Sequence, residues 1–400
     1  MNAPALTGHQ PSPAQPPSAP SPSAQPLPSQ SPSTQPLSVA EYAEPARAAL
    51  APEVWDWLEG GAERERTLAG NRAAFDQLAL VPRVLADVSA CDTAATLVRS
   101  RASLPVAVAP VAYHRLFHPE GELASARAAA AAGVPFTVGT LSSVGFEDLA
   151  ATGATLWFQL YWLRDRGRLL DLVAAAEAAG SECLVVTADV PFMGRRLRDA
   201  KNAFALPADV RAVLLEDGAA GRAHQATTAV SAVAAHTAEL LSPAVTWADL
   251  AWLREHTSLP LMVKGVLDPA DAVRAAELGA EAVVVSNHGG RQLDRAVPSI
   301  TALPAVAEAL AGRDCQVLLD SGVRGGSDVL TALALGASGV LLGRPMIWGL
   351  AARGEAGCAH VLDLLAAELR HALGLAGCAD LSAAAALRTT PMPCPTWSAP

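Results

Sequence analysis

Residues 282–294 read AVVVSNHGGRQLD and put a titratable imidazole, His288, three positions before a permanent cation, Arg291. An imidazole can take up a proton near neutral pH, and a guanidinium can grip a carboxylate through two hydrogen bonds. Gly289 and Gly290 between them permit a sharp turn. The pair therefore suits proton abstraction from a small carboxylic acid. Two further stretches, DSGVRGGSD at 320–328 and LLGRP at 341–345, combine glycine-exposed N–H groups with the cations Arg324 and Arg344. Such loops hold phosphate, and the helix expected to begin near Ser327 would add its N-terminus. Gln159, Tyr161, Thr187, Asp189 and Lys264 complete the set, each at or just past the end of an apolar run.

Those apolar runs are the elements that must position the chemistry. Candidate strands lie at 104–110, 135–140, 155–161, 183–190, 259–266, 282–287, 316–322 and 339–344, and helical stretches between them include 121–132, 168–180, 269–278 and 327–335. Eight strands alternating with helices predict parallel pairing and a closed (β/α)8 TIM barrel, an α/β fold whose sites sit at the C-terminal strand ends. An open doubly wound sheet is the alternative, but no G-x-G-x-x-G follows the first strand. Before the barrel, EYAEPARAAL and PEVWDWLEGG predict a helical extension. Trp55 and Trp57, two apart, cannot share one helical face. Residues 192–245 interrupt the rhythm after the fourth strand with Arg195, Arg196, Arg198 and Lys201, and are expected to form a lid over the site. A helix over 355–375 should close the barrel.

Residues 1–38 are Pro, Ser, Gln and Ala almost throughout, so a disordered tail is expected there. The barrel domain then spans 39–388, and 389–400 forms a C-terminal tail. The 51% apolar content is ample for one large core, and the net charge of −10 argues against nucleic acid or an anionic membrane as partner. The 6 cysteines have no metal-ligand spacing, as expected of reduced thiols and of a metal-free site. No apolar run reaches membrane-spanning length and no signal peptide is evident, so a soluble cytoplasmic protein is expected.

SNHGGRQLD, DSGVRGGSDV, LALGASGVLLGRP, HPEGE and FQLY resemble the FMN-dependent α-hydroxy acid oxidases and dehydrogenases, in order over roughly 40–388. APVAYHRLFHPEGEL, WFQLYWLRD and GRRLRD are most similar to the 4-hydroxymandelate oxidases within that family. The resemblance implies FMN as cofactor and oxidation of an (S)-2-hydroxy acid to the 2-oxo acid, with O2 reduced to H2O2 by a homotetramer. His288 would be the catalytic base and Asp189 its carboxylate partner. Arg291, Arg196 and Tyr161 would hold the substrate carboxylate. Lys264 would lie near flavin N1 and O2. Gln159, Thr187 and Ser286 would bond the ring, and Pro110, Val111 and Ala112 would cover one face of it. Asp320 would take the ribityl hydroxyls; Gly322, Arg324, Gly343 and Arg344, with Ser321 and Val323 of the same loop, would surround the phosphate.

Three positions depart from the glycolate-oxidase pattern. Trp57 stands in place of a carboxylate-binding tyrosine and offers a single N–H. Gly139 replaces a flavin-binding serine, leaving only backbone groups for the ring. Leu141 replaces a tryptophan, which makes room that, with Phe192 and Met193, favours an aryl substrate such as mandelate or 4-hydroxymandelate. Competing readings are a dehydrogenase acting on lactate or glycolate or passing electrons to a quinone, and a phosphate-binding barrel with no redox role.

Overall fold

The computed structural model describes Met1 and residues 35–215 and 237–392. Most of the expected N-terminal tail, the middle of the lid (216–236) and residues 393–400 lie outside the described residues. Everything below concerns the unit from Leu37 onward.

Eight parallel strands close into a barrel: β1 Val106–Val108, β2 Phe136–Gly139, β3 Leu156–Leu160, β4 Cys183–Thr187, β5 Leu261–Val266, β6 Ala280–Val285, β7 Gln316–Leu319 and β8 Gly339–Leu342. Each pairs with its sequence neighbour, and β8 pairs back onto β1, Val340 opposite Val106. This is the expected (β/α)8 architecture. The strands are buried nearly throughout, which is why they read as unbroken apolar runs rather than alternating ones. Trp157, Cys183, Met262, Val284 and Leu318 fill part of the interior. Helices such as Glu122–Ala132, Arg166–Ala178, Pro269–Glu277 and Gly326–Ala334 shield the outside. Asp165 and Asp268 cap the second and third of these through backbone N–H groups of Arg168 and Ala270.

The extension forms helices Ala43–Ala49 and Pro52–Glu59. Trp57 is buried, whereas Trp55 is half-buried on another side. The closing helix, Arg344–Ala376, starts well before the expected residue 355 and kinks at Arg353–Gly354. Residues 389–391, expected in the C-terminal tail, belong to a strand, Arg388–Pro391, antiparallel to Leu78–Val81. Both partners are too short to announce themselves, and only their pairing makes them strands.

Candidate active site

The strand register puts the polar residues in one layer. Gly139 lies opposite Gln159, Gln159 opposite Val185, and Thr187 opposite Lys264. Gln159 Nε2 donates to Thr187 Oγ1 at 3.0 Å, and its Oε1 accepts from the Thr140 N–H at 3.2 Å. Lys264 is 4% exposed. Its Nζ lies 3.0 Å from Asp320 Oδ2 and donates to Ser286 Oγ at 3.1 Å. Burial alone would lower the lysine pKa, but Asp320 and Asp189 outweigh it and hold the value raised, so the ammonium stays charged at neutral pH.

β5 carries a bulge between Lys264 and Val266, and Gly265 sits there at φ +103°. A Cβ at this glycine would fall 2.5 Å from both Cβ and Cγ of Asp189. The bulge thus makes the space in which the carboxylate stands. From there Asp189 Oδ1 meets His288 Nδ1 at 3.0 Å. The carboxylate can only accept, which assigns the imidazole proton to Nδ1 and leaves the Nε2 lone pair for chemistry. Burial pushes the His288 pKa down, against the pull of Asp189. Burial would lift Asp189, but the charges of His288 and Lys264 hold it below its ordinary value.

His288 itself has a left-handed backbone, φ +58°, a conformation the surroundings must enforce. Two contacts do so: its N–H donates to Ser286 Oγ at 3.0 Å, and Gly289 N–H donates to Ser321 Oγ at 2.8 Å. A third comes from Asn71, a residue that nothing in the sequence flags. Asn71 and Asn287 exchange reciprocal amide hydrogen bonds of 2.9 and 2.7 Å, and Asn287 Oδ1 also takes the Gly290 N–H at 3.0 Å.

Helix Pro52–Glu59 aims its C-terminal carbonyls at the same place. Arg291 donates to the carbonyls of Trp57 (2.8 Å), Leu58 (3.2 Å) and Gly60 (2.8 Å). Arg344 donates to those of Leu58 (3.1 Å) and Gly289 (3.2 Å). Cations at a helix C-terminus satisfy its orphan carbonyls and its dipole. Arg291 also lies over the Trp57 ring at 5.3 Å. Burial and the neighbouring Arg196 and Arg344 push its pKa well down. Trp57 Nε1 and Arg196 Nε are buried with no partner.

A cleft opens here at the C-terminal ends of the strands. Trp57, Pro110, Val111, Ala112, Tyr161, Arg196, Lys264, His288 and Arg291 line it, together with Asp320, Ser321, Gly322, Val323, Arg324, Gly343 and Arg344. Gly139, Gln159, Thr187, Asp189 and Ser286 are not on its surface but support it from behind. Leu141 and Met193 line the cleft as expected. Phe192 does not: it is 72% exposed and faces away. Its backbone carbonyl, held at 2.8 Å by Gln292 Nε2, fixes the chain without directing the ring inward.

The helix near Ser327 also departs from expectation. Its first N–H, Gly326, donates to Glu368 Oε2 at 2.8 Å, and the preceding Arg324 N–H donates to Asp328 Oδ2 at 2.7 Å. The helix that opens on the cleft is Arg344–Ala376, with Gly343 at its start. Arg324 lies over Trp348 at 4.9 Å, and burial lowers its pKa to about 10. Arg72 Nη1 steadies the loop through the Gly322 carbonyl (2.5 Å) and Asp328 Oδ2 (2.7 Å).

A closed β/α barrel with a base, a buried ammonium and four guanidiniums around one cleft is an oxidoreductase scaffold for a phosphate-bearing cofactor. The chain belongs to the FMN-dependent dehydrogenase family, which residues 46–389 match. It is 54% identical over 353 residues to the 4-hydroxymandelate oxidase of Amycolatopsis orientalis, covering 88% of this chain and 98% of that one. It is 43% identical to the L-lactate oxidase of a Nostoc species, covering 87% of this chain and 96% of the relative. Among solved structures, mandelate oxidase with (S)-4-hydroxymandelic acid superposes with a TM-score of 0.87 at 52% identity, covering 89% of this chain and 99% of that one. The protein is an FMN-dependent oxidoreductase, and its site fits that cofactor. Lys264 is buried and charged beside the cleft, and the Arg324–Arg344 pair lies where loops after β7 and β8 converge. Among the described residues no helix is long and apolar enough to cross a membrane.

Proposed function

We propose that the protein oxidises an (S)-2-hydroxy acid with an aryl side chain, mandelate or 4-hydroxymandelate, to the 2-oxo acid, with O2 reduced to hydrogen peroxide. The observation that carries the reading is the His288–Asp189 pair, 3.0 Å apart, in one cleft with Arg196 and Arg291. Bound FMN supplies a two-electron acceptor for the α-carbon and a means of passing those electrons on.

The chain's own residues do the rest. Arg291 and Arg196, with Tyr161, hold the substrate carboxylate, and Trp57 Nε1 offers one further donor. This fixes the α-hydroxyl against His288 Nε2, which takes its proton while the α-hydrogen leaves. Asp189 stabilises the imidazolium so formed. Lys264 would stabilise negative charge on a bound flavin ring. Pro110, Val111 and Ala112 would pack against that ring, with Gly139, Gln159, Thr187 and Ser286 supporting its edge from behind the cleft wall. Asp320 would hold the ribityl chain, and Ser321, Gly322, Val323, Arg324, Gly343 and Arg344 the phosphate.

The aryl choice rests on Leu141 and Met193 lining the cleft beside Trp57. Trp57 is itself backed by Phe117 at 5.8 Å and Phe204 at 5.9 Å. The similarity to the 4-hydroxymandelate oxidase supports the same choice. A cytoplasmic location belongs to this reading, supported by the free thiols of Cys91, Cys183, Cys315, Cys358 and Cys378, and so does the homotetramer that the family resemblance implies.

The test is the visible absorbance of the holoenzyme, taken anaerobically before and after (S)-mandelate and again on admitting air. Bleaching with rapid return and peroxide formation supports the oxidase. Bleaching that air restores only slowly means a dehydrogenase. No bleaching by mandelate, with bleaching by lactate, removes the aryl substrate.

A further inference from the structure

One buried carboxylate beside the cleft has no part in the mechanism above. We propose that Asp199 sets the net charge of the substrate pocket, acting through Arg196 and Arg291, so that the site favours a monoanionic acid over a dianionic one. The inference rests on the hydroxy acid reading and names which acids that site selects.

Asp199 follows Arg196 by three residues: Arg196 is the N-cap of helix Leu197–Lys201, and Asp199 lies on its first turn. Asp199 is 2% exposed and Arg196 9%. Neither carboxylate oxygen has a hydrogen-bond partner, nor has Arg196 Nε. A carboxylate buried without donors is costly: burial raises the Asp199 pKa, and the charges of Arg196 and Arg291 pull against that rise.

Most of the charges around it pair off. Lys264 lies 3.0 Å from Asp320 and Arg344 3.8 Å from Glu59, whereas His288, 3.0 Å from Asp189, is neutral and leaves that carboxylate charged. Arg198, Asp56 and Glu65 form their own set, with side chains 24–37% exposed and so screened by water. Arg324 belongs to the phosphate end. Left facing the substrate are Arg196 and Arg291, whose hydrogen bonds from Arg291 go only to neutral carbonyls. Against them stands Asp199, and the Asp189 carboxylate beside the neutral His288 adds a second buried anion. The two guanidiniums can grip one substrate carboxylate directly, while these buried anions set negative charge around them. A second carboxylate would meet the field of Asp199 with no cation left over.

The experiment is calorimetric titration of the holoenzyme at pH 8 with (R)-mandelate, a monoanion, and phenylmalonate, a dianion of the same aryl frame. The unaltered protein should bind (R)-mandelate at least as tightly as phenylmalonate. In Asp199→Asn, an isosteric change that breaks no hydrogen bond, the ratio of the two Kd values should move toward phenylmalonate by about tenfold, the effect of one unit charge in a partly buried site. Tighter binding of phenylmalonate by the unaltered protein would overturn the proposal without any variant. Parallel weakening of both ligands in Asp199→Asn would overturn it too, because a merely structural carboxylate behaves that way. Failure of the unaltered protein to bind (R)-mandelate at all would instead remove the hydroxy acid reading, and the inference with it.

Discussion

His288 Nδ1 and Asp189 Oδ1 stand 3.0 Å apart, and the contact fixes which imidazole nitrogen is free to act. Only the neutral ring is a base. Burial holds the His288 pKa below its ordinary value, so the base form is present throughout the neutral range and is lost only as pH falls through that lowered value. The expected kcat/KM profile is flat at neutral pH and falls only on the acid side, below the ordinary imidazole range. Asp189→Asn removes a charge that raises the imidazole pKa, so the acid limb should move to still lower pH. The same change should slow flavin reduction by about 100-fold, since proton transfer loses its partner. Stopped-flow reduction across pH checks both; an acid limb that moves upward would contradict the assignment.

Asp189 occupies its place because Gly265 has no side chain. Gly265→Ala puts a Cβ 2.5 Å from the Asp189 side chain at φ +103°, a conformation that costs about 1–3 kcal/mol in a non-glycine residue. The expected result is a stable flavoprotein whose reduction is slowed at least tenfold, approaching Asp189→Asn. Wild-type rates with full FMN content would show that the bulge does not position the carboxylate.

Lys264 and Asp320 form a pair with side chains 5% and 9% exposed, 3.0 Å apart. Lys264→Met leaves the Asp320 carboxylate buried beside a thioether, and breaking such a pair costs about 3–5 kcal/mol. Urea unfolding should show that loss, and the double change Lys264→Met with Asp320→Leu should recover part of it. The single variant should also hold FMN at a lower reduction potential, because a cation near the ring favours its reduced form.

These relationships differ in how far the sequence exposes them. The barrel and most site residues were legible because each strand is a short apolar run that ends in a polar residue, as at Thr187 and Lys264. Asn71 was not: its partner Asn287 is 216 residues away, and an asparagine in a helical segment has no local signature of that pairing. The grip of Arg291 and Arg344 on Pro52–Glu59 was hidden for the same reason, since backbone carbonyls leave no mark in a sequence. Phe192 shows the opposite failure. Its type and position beside the lid suited an aryl site, but loop side chains follow no periodicity, and its ring points to solvent.

That outcome places the aryl selectivity on Leu141, which is 6% exposed and lines the cleft with Tyr161, Met193 and Trp57. Leu141→Trp would fill the space left by the smaller side chain. The expected effect is a fall of at least about tenfold in kcat/KM for (S)-mandelate, a difference of about 1.4 kcal/mol, with a smaller fall for glycolate, which needs none of that space. Peroxide formation measured with both acids checks it, and Phe192→Ala serves as the control that should leave both rates unchanged. Equal losses with the two acids would mean that Leu141 shapes the cofactor site rather than the substrate pocket. A loss confined to mandelate would fix the aryl group against this residue, on the side of the cleft where Trp57, Phe117 and Phe204 supply the apolar backing.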